Sequence, residues 1–164
     1  AGKETSGISS ASADLFRGAN LVMTVCPQTL EGACREIAEY AKAMRFGRIV
    51  TCTAEEHDRK IALTSQLAHI VSNAYVKSPE VDGCEGFTGG SFQDMTRVAY
   101  LNEQMWTQLF VDNRENLCRE IAGLIERLEQ FRAAISQPDP DRLRAMLRAG
   151  RIRKTQTEKE GIEP

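Results

Sequence analysis

Histidine is scarce in this chain of 164 residues: only His57 and His69 are present, too few for a histidine-rich metal site. The five cysteines, Cys26, Cys34, Cys52, Cys84 and Cys118, are odd in number, widely spread and without a C-x-x-C pair. That pattern sets aside a disulfide framework and a zinc site and points to reduced thiols in a cytoplasmic protein. No apolar run approaches the roughly 20 residues that cross a bilayer, and no signal peptide is visible. Neither sign of charge is in excess, with 21 Lys and Arg against 23 Asp and Glu. Because the two signs are interspersed, neither nucleic acid nor an anionic membrane is an expected partner. Gly2 and Gly7 do not form a G-x-G-x-x-G phosphate loop, no such loop occurs elsewhere, and there is no nucleophile-elbow serine.

The chain opens at Ala1 without a methionine, which is expected to be a cut through a longer polypeptide. Residues 1–52 read as strand, helix, strand. Leu21–Val25 is a strand candidate ended by Pro27. Leu30, Ala33, Cys34, Ile37, Ala41 and Met44 recur at helical spacing up to a stop at Gly47, and Arg48–Cys52 returns as a strand. This βαβ unit is too small to stand alone and is expected to complete a larger sheet.

From residue 53 the pattern is helical. Thr53-Ala54-Glu55-Glu56 is a capping box, with the threonine hydroxyl accepting from the Glu56 amide and the Glu56 carboxylate reaching back. The helix it opens should run to about Lys77, before Ser78-Pro79. Four glycines and a proline make 79–90 a loop. A helix from about Ser91 should break near Asn102. In the next and longest helix, Leu117, Ile121, Leu124, Leu128, Phe131 and Ile135 alternate steps of four and three, the seam of a helix packed along a partner. Pro138 and Pro140 end it. A short helix over Asp141–Ala149 should stop at Gly150, leaving 151–164 as a polar, frayed tail.

The segment Gly89-Gly90-Ser91-Phe92-Gln93-Asp94-Met95-Thr96-Arg97-Val98-Ala99, with Trp106 nine residues after the arginine, is the most informative. It places a guanidinium in an otherwise apolar helical stretch, where burial requires an anion. Asp94 one turn earlier is one candidate and a ligand carboxylate is the other. Ser65 and His69 share a helix face. His69 reads either as a core histidine bonded to a backbone carbonyl or as a ligand-facing group, and His57 as a solvated residue near the cap. Trp106 is by default a core aromatic, and Gly86, Gly89 and Gly90 are turn residues.

Taken together, Ala1–Gly7, Asp14–Ala19, His57-Asp58, Ser65-Gln66-Leu67-Ala68-His69, Ser91–Ala99 and Met105-Trp106 resemble prephenate dehydrogenase in order and spacing, over nearly all of the chain to about residue 149. The resemblance implies a mainly α chain. Residues 1–52 would be the end of a Rossmann-like dinucleotide-binding domain, 53–150 an all-helical substrate-binding and dimerisation domain, and 151–164 a polar tail. It implies oxidation of prephenate with loss of carbon dioxide to 4-hydroxyphenylpyruvate, on the route to tyrosine. NAD or NADP would be held mainly by a domain preceding Ala1.

Arg97, Ser65 and His69 match the family's substrate-side arginine, serine and histidine. Trp106, Gly90 and Glu4 match positions that line or shape the pocket, and a homodimer through the helical domain follows. The family's catalytic histidine would precede Ala1, so no catalytic residue is expected in this chain, which alone should be inactive. One departure stands inside the motif. The family's Ser-His-Leu-Pro-His is here Ser-Gln-Leu-Ala-His, so Gln66 replaces a histidine and could shift preference from prephenate to arogenate. The alternatives are an arogenate-preferring dehydrogenase and a non-catalytic helical dimerisation module.

Overall fold

The computed structural model describes residues 7–162, with side chains through Glu158. The chain divides into two compact units, one reaching to Leu117 and the other starting at Cys118.

The first unit begins as its sequence pattern indicates. β1 (Asn20–Val25) and β2 (Arg48–Thr53) are parallel, with Asn20 opposite Arg48 and Val25 opposite Thr53. Parallel neighbours need a crossover, supplied here by α1 (Ala33–Ala43). What ends α1 differs from expectation. Phe46 N donates to Ala41 O (3.0 Å) and Arg45 N to Lys42 O (3.0 Å), a Schellman cap with Arg45 itself left-handed at φ 62°. Gly47 is needed for a different reason. A Cβ there would sit 2.8 Å from Gly18 O, so the close approach of two backbone segments requires glycine. Val22 and Val50 of the sheet are left 44% and 38% exposed.

Three helical stretches run without interruption from Ala54 to Tyr75. These are α2 (Ala54–Ile61), a π-helical segment (Ala62–Leu67) and α3 (Ala68–Tyr75). Thr53 caps the start as expected, its hydroxyl accepting from Glu56 N at 3.1 Å. The neighbouring Glu55 carboxyl is held below the ordinary glutamate range, chiefly by its own amide and then by the Thr53 hydroxyl, against the opposing effects of desolvation and the Asp58 charge. The spacing of apolar residues gives no sign of the π-helical turn.

After the loop come α4 (Gly90–Thr96) and α5 (Glu103–Asp112), the latter capped by Asn102 Oδ1 accepting from Met105 N at 2.9 Å. The break near Asn102 is therefore a helix start. Arg97 lies at the C-terminal cap of α4, its amide still bonded to Gln93 O, and its side chain is exposed. This corrects the expectation of a buried guanidinium: α4 is only seven residues long and its last turn faces solvent.

Helix α6 (Arg114–Ser136) is separated from α5 by the single residue Asn113. Its stripe is unevenly covered. Leu117 is buried and Ile121, Leu124 and Phe131 are half-buried, but Leu128 and Ile135 are 57% and 62% exposed. In the second unit, Asp139 Oδ1 accepts from Arg142 N and Pro140 opens α7 at its first position. Helix α7 spans Pro140–Ile162, so the stop at Gly150 is not found and residues 151–162 are helical, with 163 and 164 outside the described residues. A lone glycine costs a helix interior only about 1 kcal/mol. Beyond it, Lys154 pairs with Glu158 at 3.1 Å and the Thr155 and Thr157 hydroxyls bond back to Arg151 O and Lys154 O. The polarity stands, since every side chain from Arg151 to Glu158 is exposed.

Candidate functional site

Two of the polar residues singled out in the sequence, Ser65 and His69, lie where the π-helical turn faces α5. His69 Nδ1 lies 2.8 Å from Ser65 O. A carbonyl can only accept, so Nδ1 carries the hydrogen, and in the neutral ring Nε2 is left as an acceptor. The reading of His69 as a backbone-bonded histidine is therefore correct for one nitrogen and leaves the other available. Its ring stacks on Trp106, with centroids 4.1 Å apart and planes at 31°, and Trp106 in turn meets Phe110 at 5.3 Å. All three rings are only half-buried.

Beside this stack lies a cavity of about 200 Å³ whose lining includes His57, Asp58, Ser65, Gln66, Trp106 and Asn113. His57 is less solvated than its place in the first turn suggests: its side chain is 35% exposed and Nδ1 lies 2.9 Å from Asp58 Oδ1. Gln66 is 5% exposed and both ends of its amide are engaged. Nε2 donates to Leu109 O at 3.1 Å, and Oε1 accepts from Asn113 Nδ2 at 2.8 Å. Asn113 Nδ2 also donates to Asp58 O at 2.8 Å, while its Oδ1 accepts from Asn116 Nδ2 at 2.8 Å.

Of the residues picked from sequence, Ser65, His69 and Trp106 are brought together. His69 reaches the cavity only through Trp106 and is not itself in its lining, and Arg97 and Gly90 are exposed and outside the lining too. Around Gly90 there is open space where a Cβ would be, so packing does not demand glycine there. Glu4 lies outside the described residues. Asn113 was missed; its signal is faint, one amide between two helical runs in Asp112-Asn113-Arg114. Among the described residues no group of three or more His, Cys, Asp or Glu is placed to hold a metal, all five cysteines are free, and no helix is long and apolar enough to cross a membrane.

A family model described as "Prephenate dehydrogenase, dimerization domain" matches residues 53–149, more than half of the chain. The chain is 33% identical over 151 residues to the cyclohexadienyl dehydrogenase of Zymomonas mobilis, covering 87% of this chain and 50% of that protein. To the prephenate dehydrogenase of Bacillus subtilis it is 25% identical, covering 87% of this chain and 40% of that one. It thus spans half or less of these curated relatives. Among solved structures, the prephenate dehydrogenase of A. aeolicus, in complex with hydroxyphenyl propionate and NAD+, superposes with a TM-score of 0.80 at 26% identity. That likeness covers 95% of this chain and 56% of that one. The arogenate dehydrogenase of Synechocystis shares the fold, with a TM-score of 0.76 at 22% identity over 95% of this chain and 58% of that one. With the helical fold, the family match over more than half of the chain and the relative at 33% identity in agreement, the chain belongs to the prephenate dehydrogenase family and carries that family's dimerization domain.

Proposed function

We propose that this chain is the substrate-side and dimerising part of a dehydrogenase that oxidatively decarboxylates prephenate to 4-hydroxyphenylpyruvate in tyrosine biosynthesis. The observation that carries this reading is the His69–Trp106 stack, oriented by the Ser65 carbonyl beside a cavity of mixed lining, in a chain of this family.

Prephenate is a ring bearing a hydroxyl and two carboxylates. Trp106 offers the ring a flat apolar neighbour, and His69 Nε2 and the Ser65 hydroxyl are available to hydrogen-bond a hydroxyl or carboxylate. Arg97, exposed at the end of α4, is the residue assigned to a carboxylate, and its planar fork suits bidentate pairing. Glu4 and Gly90 are assigned to the pocket from the family motif alone. Loss of carbon dioxide is driven by aromatisation, so the contribution of these residues is alignment of the ring and its anionic groups.

NAD or NADP is the proposed hydride acceptor, but the described residues do not fit a phosphate cradle. The turn from β1 to α1 holds one glycine, Gly32, and no glycine-rich run. The nicotinamide cofactor is accordingly assigned mainly to a dinucleotide-binding domain outside this chain, and the chain alone is expected to be inactive. The half-exposed valines of the two-stranded sheet support its place as the end of a larger sheet. Ile125, Leu128 and Ile135, each more than half exposed on α6, support a homodimer through the helical domain. A cytoplasmic protein without a nucleic-acid or membrane partner is part of the same proposal, supported by the interspersed charge and the spread of unpaired cysteines.

An arogenate-preferring dehydrogenase is the second reading, supported by Gln66 in place of the family's histidine. The deciding assay is nicotinamide reduction by the protein that contains this chain, with prephenate or arogenate and NAD or NADP in all four combinations. In that protein Arg97→Ala should raise KM about 30-fold, the loss of a charge-assisted bond of about 2 kcal/mol. An unchanged KM would remove Arg97 from the pocket. Silence in all four assays would favour a non-catalytic dimerisation module.

A further inference from the structure

We propose that Gln66 is a positioning residue, which pins α5 onto the π-helical turn and thereby fixes Trp106 against the ring of His69. The role of that stack in binding rests on the reading above, but the clamp itself does not.

Gln66 occupies the turn between Ser65 and His69 and is almost wholly buried, so an unmet amide would be costly. It is met at both ends by one neighbouring stretch of chain. Leu109 O, three residues beyond Trp106, takes its Nε2 hydrogen, and Asn113, one turn further, donates to its Oε1. Asn113 is itself held by Asp58 O and by Asn116. A sliding of α5 by one residue would break both bonds at once, so the glutamine fixes register as well as distance. Register matters because Trp106 is on the same helix: its centroid distance of 4.1 Å from His69 follows from where α5 is anchored. With both ends of its amide engaged inside the protein, Gln66 acts on a ligand through these rings and not by direct recognition.

Two substitutions separate this role from bulk packing. Gln66→Met keeps the length and apolar stem but can make neither bond. Gln66→His supplies one donor and one acceptor and can restore both. Trp106 is the single tryptophan of the chain, so its near-ultraviolet circular dichroism and its quenching by acrylamide report the stack without any substrate. In the 164-residue chain, Gln66→Met should weaken the tryptophan band and raise quenching severalfold with an unchanged far-ultraviolet spectrum, and Gln66→His should restore both signals. A Met variant identical to the wild type in both signals overturns the clamp. Equal disturbance by Met and His also overturns it, because bonding capacity would then not matter. Should Gln66→Met unfold the chain, Asn113→Asp, which keeps shape but removes the donor to Gln66, takes its place, and an Asp variant identical to the wild type in both tryptophan signals overturns the clamp. In the dehydrogenase containing this chain, Gln66→Met should raise KM about tenfold with kcat nearly unchanged. A changed tryptophan signal with unchanged KM keeps the clamp and removes His69 and Trp106 from the binding site.

Discussion

Along Ala54–Tyr75 several polar side chains reach distant parts of the chain, whereas the side-chain bonds described along α7 join near neighbours of the same helix. In the first stretch Gln66 meets Leu109 and Asn113, the Asp58 carbonyl meets Asn113, and Asn73 donates to Ala99 O at 3.3 Å. In α7 the bonds join Asp141 to Arg144, Lys154 to Glu158, and threonine hydroxyls to carbonyls three or four residues back. The first pattern fixes one helix against another; the second only reinforces a helix already formed. A π-helical turn occurs in the first and not in the second, consistent with regular geometry giving way where side chains must be aimed.

The comparison is broken most directly at Asn113. Replacing it with leucine leaves Gln66 Oε1 and the Asp58 carbonyl without their donor and should cost about 2 kcal/mol in urea unfolding; a loss under a few tenths would place this ladder with the exposed bonds of α7. Thr53→Ala tests the boundary between local and distant bonding at the head of the same stretch and should cost about 1 kcal/mol. The linked effect on Glu55 has a definite sign. Its depressed carboxyl contributes stability above the unfolded glutamate pKa and loses it as pH falls through the folded value. The deficit of Thr53→Ala should therefore be full near neutral pH and shrink in acid, and a deficit that grows on acidification would contradict the assignment.

In α7 the expected effects are smaller, and one reverses sign. Gly150 is helical, with open space where a Cβ would be, so Gly150→Ala should stabilise by about 0.5–1 kcal/mol, seen as a higher midpoint of thermal unfolding. Arg144→Ala, which removes an ion pair between side chains 74% and 92% exposed, should change stability by less than about 0.5 kcal/mol. A large loss there would mean that α7 does more than its bonds indicate.

The same division marks what could be read in advance. Thr53 announces a helix start because a cap needs only residues within one turn, whereas Asn102 read only as a break and Pro140 only as an end, although each stands at a helix start. Strand–helix–strand and the long α6 follow from periodicity alone. Local reasoning erred where two local signals competed. Glycine at 150 looked like a stop, yet the flanking helix formers carried α7 through it. Glycine at 47 looked like the cap of α1, yet Arg45 takes the left-handed position and Gly47 answers a contact with Gly18. Arg97 looked buried because its sequence neighbours are apolar, although the short α4 leaves it in solvent.

The sequence by itself determined the order of the main elements, the helix start at Thr53 and the family, because motif spacing and capping are properties of neighbouring residues. Only the tertiary structure decided that His69 stacks on Trp106, that His57 belongs to the cavity wall, and that Gln66 is tied to Asn113. These pairs lie tens of residues apart along the chain. Their meeting depends on the register of α5 against the π-helical turn, which hydrophobic periodicity leaves free and buried hydrogen bonds fix.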